Sequence, residues 1–118
     1  MFFKSLGLSA LALATPNAAM AQTAAPKVLV ITMFGAETKP WIEGVKLDKK
    51  IVVPGLAADA PEVACNDDLC VMTTTMGFAN AAASTAAVAL SDKFDLSKTY
   101  FIVAGIAGIN PSKGTLGS

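Results

Sequence analysis

The chain has 118 residues, 53% of them hydrophobic and 15% charged, and its nine basic residues balance nine acidic ones. Every basic residue is lysine; histidine and arginine are absent. That removes the usual general base near neutral pH and the planar fork that grips phosphate. It excludes Ser-His-Asp or Cys-His catalysis and histidine-based metal sites, and the balanced charge argues against nucleic acid as a partner.

Residues 1–21 read as a secretory signal peptide. A single positive charge at Lys4 precedes the short apolar stretch SLGLSALALA, and Ala19-Met20-Ala21 forms a small-residue cleavage site before Gln22. The apolar core is well short of the roughly 20 residues that span a bilayer, which disfavours an uncleaved anchor. Cleavage leaves residues 22–118, eight lysines against nine acids, with QTAAP as a short flexible lead. No later stretch approaches spanning length, so the mature protein is expected to be soluble and exported, periplasmic or secreted.

Residues 27–33 (KVLVITM) are a continuous apolar, β-branched run, the pattern of a strand buried on both faces. A polar turn over residues 34–39 (FGAETK) follows, and Pro40 suits the first turn of a helix over residues 41–45. Residues 46–50 (KLDKK) read as a solvated charge run, residues 51–55 (IVVPG) as a short strand ended by a turn, and residues 55–61 as a loop. Residues 62–65 (EVAC) and 69–74 (LCVMTT) form a hairpin around an Asn-Asp-Asp tip.

Cys65 and Cys70 flank that tip. In an exported protein they read as a disulfide staple, with free thiols as the alternative, and the short loop puts its stabilisation at the low end. Without histidine the pair makes a poor metal site. After a tight turn at residues 75–78, residues 79–90 (ANAAASTAAVAL) form an alanine-rich helix of about three turns. A polar connection containing Phe94 and Leu96 leads to a further buried strand, residues 99–104 (TYFIVA). This order specifies a single α/β domain with a parallel or mixed sheet, lacking elements to cover its last strand.

Ligands of open α/β sheets gather beyond the carboxyl ends of the strands. That singles out three loops: residues 34–39, with Phe34, Gly35 and Glu37; residues 73–80, with Thr74, Thr75, Met76 and Gly77; and residues 104–110, with Ala104, Gly105 and Ile106. Each also reads as fold punctuation. None matches a dinucleotide fingerprint or a P-loop. Glu37 can accept a hydrogen bond from a sugar hydroxyl, Lys39 and Lys113 are the nearby cations, and Trp41 suits packing better than base stacking. No catalytic residue, metal or cofactor is expected.

The motif TT-x-MG-x-x-NAAAS, then FDLSKTYF, then AGIAGINP with GT-GS, together with VLVITMFGAETKPWIEG upstream, resembles the bacterial and fungal purine nucleoside permease family. The resemblance covers nearly all of residues 22–118. That family is in turn similar to the purine nucleoside and uridine phosphorylases. The resemblance therefore implies a three-layer αβα fold of nucleoside-phosphorylase type with a mixed sheet, incomplete in this chain, whose three loops form part of a nucleoside pocket.

Phosphorylases place an arginine just before the glycine strand end and a serine within it, both on phosphate; the matching positions here are Val103 and Ile106. A phosphate dianion beside valine and isoleucine is poorly stabilised, so phosphorolysis is not expected. The implied function is an exported purine nucleoside-binding protein taking part in nucleoside uptake beside a membrane transport partner, because a chain without a spanning segment forms no channel. A nucleoside-cleaving hydrolase or phosphorylase, and a non-functional fragment, stand as alternatives. Family members are several-fold longer, so an N-terminal portion is expected, and homo-oligomer formation is left open.

Overall fold

The computed structural model describes residues 22–106 and 108–115. The signal peptide expected at residues 1–21 lies outside the described residues. The elements run β1 (Val28–Thr32), α1 (Gly35–Gly44), β2 (Lys49–Val52), β3 (Glu62–Cys65), β4 (Leu69–Thr73), α2 (Phe78–Ala89) and β5 (Tyr100–Val103). The strands make one mixed sheet in the order β2-β3-β4-β1-β5. β1 runs parallel to β4 and β5, while β3 is antiparallel to both β2 and β4.

Strand alternation divides the core in two. Leu29 and Ile31 of β1, Val63 and Cys65 of β3, and Cys70 and Met72 of β4 share one face with Val88 of α2 and Phe94. Val30, Ala64 and Val71 point to the other, where Trp41 and Val45 pack at the end of α1. The helices therefore cover opposite faces, which is why β1 and β4 are apolar at successive positions. Fully burying each such valine, leucine or methionine contributes about 1.5–3 kcal/mol.

The two helices are held differently. α2 buries only Ser84 and Val88, too little apolar area to hold twelve residues by packing alone. Its seven alanines supply the remainder through helix propensity, since alanine loses no side-chain entropy on ordering. α1 buries no residue fully and carries Pro40 inside it. The expectation that Pro40 begins the helix is thus corrected, because the helix starts five residues earlier. Its first turn is fastened by Glu37 and Thr38 N–H groups donating to Phe34 O at 3.0 and 3.2 Å. Pro40 leaves Ala36 O without its donor four residues on, a cost these anchors offset.

Two further expectations change. The QTAAP lead is tied down: Ala24 N–H donates to Lys93 O and Ala24 O accepts from Asp95 N–H, both at 2.8 Å, in a parallel bridge to Phe94. Pro26 is buried behind it, and its carbonyl accepts from the Thr99 hydroxyl at 2.6 Å. The charge run is half strand, because Lys49 and Lys50 form the edge of β2 against β3.

The hairpin expectation holds. Asn66 Oδ1 accepts from Asp68 and Leu69 N–H at 3.0 and 2.8 Å, which shapes the tip. Cys65 and Cys70 are register partners, both buried and joined in a disulfide. Replacing both by alanine is expected to cost about 2 kcal/mol for so short a loop, read as a lower urea midpoint. Gly77, at φ 101° and ψ 151°, precedes α2 in a backbone region reserved for glycine, with open space around its α-carbon. Gly77→Ala therefore meets only backbone strain and should cost about 1–3 kcal/mol, whereas Gly35→Ala, with equal space and no positive φ, should melt near the parent temperature.

Candidate functional site

The chain leaves β1 toward α1 on one face and leaves the adjacent parallel strand β4 toward α2 on the other. Loops diverging from neighbouring strand ends open a crevice between them, the usual ligand position in such sheets. The last residues of the two strands, Thr32 and Thr73, are register partners across it.

A chain of hydroxyls fills the crevice floor. Thr38 from α1 stands 2.6 Å from the Thr32 hydroxyl and 2.7 Å from that of Thr73. Thr32, fully buried, donates to Met72 O at 3.0 Å. One order that satisfies all three protons runs Thr73 to Thr38 to Thr32 to Met72 O and leaves acceptor lone pairs on Thr73 at the open end, with Phe34 O at 3.2 Å as a second acceptor for Thr38. Sequence reasoning placed Thr38 and Thr73 in the right loops but did not select them as ligand residues. The available signal was a threonine ending each of two adjacent parallel strands.

Beside these hydroxyls lies an open cleft of about 460 Å³. Phe34, Gly35, Thr38 and Ile42 form one wall, Thr73, Thr75 and Met76 its upper end, and residues 59–62 the far side. The size suits a small organic ligand. The lining is mainly apolar, with hydroxyls from Thr38, Thr73 and Thr75. Its charged members are the carboxylates of Glu43, Asp59 and Glu62 and the single ammonium of Lys39, which pairs with Glu43 at 3.6 Å. An anion gains little there. The far wall was read from sequence only as a small loop, because nothing local connects it with α1.

The loop after β4 is built by α2. Asn80 Nδ2 donates to Met76 O at 2.8 Å, and the Ser84 hydroxyl to Thr74 O at 3.2 Å. Thr74 itself is buried and donates to Thr75 O at 2.8 Å, so it shapes the loop and does not line the cleft. These bonds hold Thr75 at φ 64°, the left-handed region a β-branched residue avoids. Strain of this kind persists only where the surroundings impose it, and it turns Thr75 and Met76 to the cleft.

The loop after β5 is fastened by Glu37. Its Oε1 accepts from Ile106 N–H at 2.7 Å and its Oε2 from Met33 N–H at 2.8 Å. The second bond reaches back past the helix start to the residue before the Phe34 cap, which itself offers no side-chain oxygen. Each oxygen thus accepts one backbone N–H and keeps a further lone pair, the capacity a sugar hydroxyl would use. Gly105 lies so close that an added β-carbon would fall on Met33 Sδ and come within 3.2 Å of Glu37 Oε2. Ala104 N–H donates to Ile31 O at 2.8 Å, and its side chain packs against the α1-side core. Of the ten selected residues, Phe34, Gly35, Thr75 and Met76 meet in the cleft. Glu37, Gly105 and Ile106 form the adjacent tether, while Thr74, Gly77 and Ala104 lie outside the cleft lining.

The Ile106 and then the Met33 N–H groups hold the Glu37 carboxyl below its ordinary value of 4.5. A depressed folded-state value means the tether's stabilisation is fully present above the ordinary value and is lost as pH falls through the lower folded-state value. The parent is therefore expected to lose more melting temperature between about pH 5 and about pH 3 than Glu37→Gln does. Asp67, depressed by Lys49, and Asp95, depressed by Ser97, titrate in the same range but are common to both proteins and cancel in the comparison.

Residues 25–118 match the family model described as purine nucleoside permease (NUP). A Candida albicans protein named purine nucleoside permease is 43% identical over 94 residues, covering 78% of this chain and 23% of the relative. A Schizosaccharomyces pombe protein named as a probable purine nucleoside permease is 42% identical over 128 aligned positions, covering 100% of this chain and 37% of the relative. The chain thus spans well under half the length of these curated relatives. No solved structure matches it. By the extent of the family match and the level of identity, this chain belongs to the purine nucleoside permease (NUP) family.

Proposed function

We propose that the chain is the N-terminal part of an exported protein that binds purine nucleosides and takes part in their uptake, on a three-layer scaffold of nucleoside-phosphorylase type. The observation that carries this reading is the crevice between β1 and β4 in a member of this family. Its neutral hydroxyls and apolar walls suit a base and a sugar, and its carboxylates disfavour a phosphate.

The same electrostatics argue for binding without phosphorolysis. Val103 and Ile106 occupy the positions where the resembling phosphorylases hold phosphate, and both side chains are exposed and uncharged. The sequence contains no arginine to replace them, and a lysine ammonium lacks the bidentate fork. Among the described residues no helix is long and apolar enough to cross a membrane; in this reading the protein acts as a binding component beside a membrane transport partner. Export rests on the leader sequence at residues 1–21.

Titration calorimetry of the complete polypeptide with adenosine, guanosine and inosine tests the reading. Saturable heat below about 1 mM is expected, and the absence of heat with all three would sink it. Thr73→Val should weaken binding about tenfold, the loss of one hydrogen bond of roughly 1.4 kcal/mol. Release of free base in phosphate-free buffer would instead assign a hydrolase.

A further inference from the structure

Sulfur is unevenly exposed in this chain. Both cysteines are buried and closed in the Cys65–Cys70 disulfide, so no thiol stands ready to meet an oxidant. The other oxidisable sulfur is that of methionine, of which the sequence has five. Met1 and Met20 belong to residues 1–21, and the remaining three differ in access. Met72 is fully buried in the α2-side core. Met33 is half-buried, and its Sδ packs so tightly against Gly105 that a β-carbon there would overlap it. Met76 is 71% exposed.

The backbone imposes that exposure. Thr75 at φ 64° and Gly77 at φ 101° flank Met76, and Asn80 Nδ2 donates to its carbonyl at 2.8 Å. The main chain is thus pinned to α2, while the side chain lines the upper end of the cleft. An unbranched thioether held there is open to solvent and borders the ligand site at once.

We propose that Met76 is a site of reversible oxidation by hydroperoxides, and that its oxidation lowers the affinity of the cleft for its ligand. The sulfur attacks one oxygen of hydrogen peroxide, the O–O bond breaks and an S–O bond forms. The displaced hydroxide takes the proton from the transferred oxygen and leaves as water. Sulfur is oxidised by two electrons to the sulfoxide and the peroxide is reduced to water, so no further reactant is needed. The product is polar and chiral where the thioether was apolar and flexible. It sets an acceptor oxygen in a lining shared with Phe34 and Ile42, and the apolar face of a ligand loses its contact there. The oxidation site follows from access alone, whereas the loss of affinity rests on the nucleoside-binding reading.

Titrating the complete polypeptide with hydrogen peroxide tests both parts. Peptide mass spectrometry should show Met76 gaining one oxygen ahead of Met33, and about tenfold or more faster than Met72, which is reached only when the core opens. Inosine should then bind about tenfold more weakly by calorimetry, with the melting temperature unchanged. Treatment with the two methionine sulfoxide reductases should restore the affinity. Met76→Leu should hold one affinity before and after peroxide, whatever its starting value, whereas Met33→Leu should stay sensitive. Oxidation of Met33 or Met72 ahead of Met76, or loss of the fold on oxidation, overturns the site. Equal inosine affinity in oxidised and untreated protein, or a loss in Met76→Leu, overturns the effect on binding. No inosine binding before oxidation overturns the proposed function and that effect together, while the order of oxidation still decides the site.

Discussion

The structure is organised around one constraint, that β1 is apolar at successive positions and must be buried on both faces and paired on both edges. Parallel neighbours β4 and β5 satisfy the edges, and α1 and α2 cover the faces from opposite sides. A parallel pair cannot be joined by a tight turn, so the connections must cross over the sheet. Because they leave β1 and β4 toward opposite faces, a crevice at the ends of those strands follows from the packing of the core.

What fills the crevice is then set by backbone bonding. The loops leaving three strand ends carry N–H and C=O groups that sit at the margin of the core and need partners. Glu37 supplies two acceptors, Asn80 and Ser84 supply donors, and the Thr32, Thr38 and Thr73 hydroxyls satisfy one another. Such short polar links leave little freedom to the groups they join. They confine the family motif to particular positions: Asn80 and Ser84 lie one turn apart on α2 because they bond Met76 O and Thr74 O on the same loop.

Much of the fold was legible in the sequence. β1, the hairpin of β3 and β4, α2 and β5 follow from apolar runs, turn residues and alanine content, each within a residue or two of its observed bounds. The disulfide followed from two cysteines around a polar tip. α1 was misplaced because proline is ordinarily a first-turn residue, and the anchors that start the helix earlier are bonds to Phe34 O and from Met33 N–H. Lys49 and Lys50 looked like loop because edge strands are charged for a reason unrelated to strand propensity. Four of the ten selected ligand residues line the cleft, since their loops were right but side-chain direction within a loop has no periodic signal.

Hydrophobic periodicity, turn chemistry and cysteine spacing are local properties, and by themselves they determined most of the elements and the α/β class, while the family follows from the match to its model and relatives. Strand order, the role of Glu37 and the composition of the cleft depend on groups far apart in the chain. Glu37 and Ile106 are 69 positions apart, and Thr38 and Thr73 are 35 apart. A carboxylate reads the same in sequence whatever it faces, and only the packing of α1 beside β1 and β4, with the loop after β5 folded back to it, brought Glu37 to the Met33 and Ile106 N–H groups.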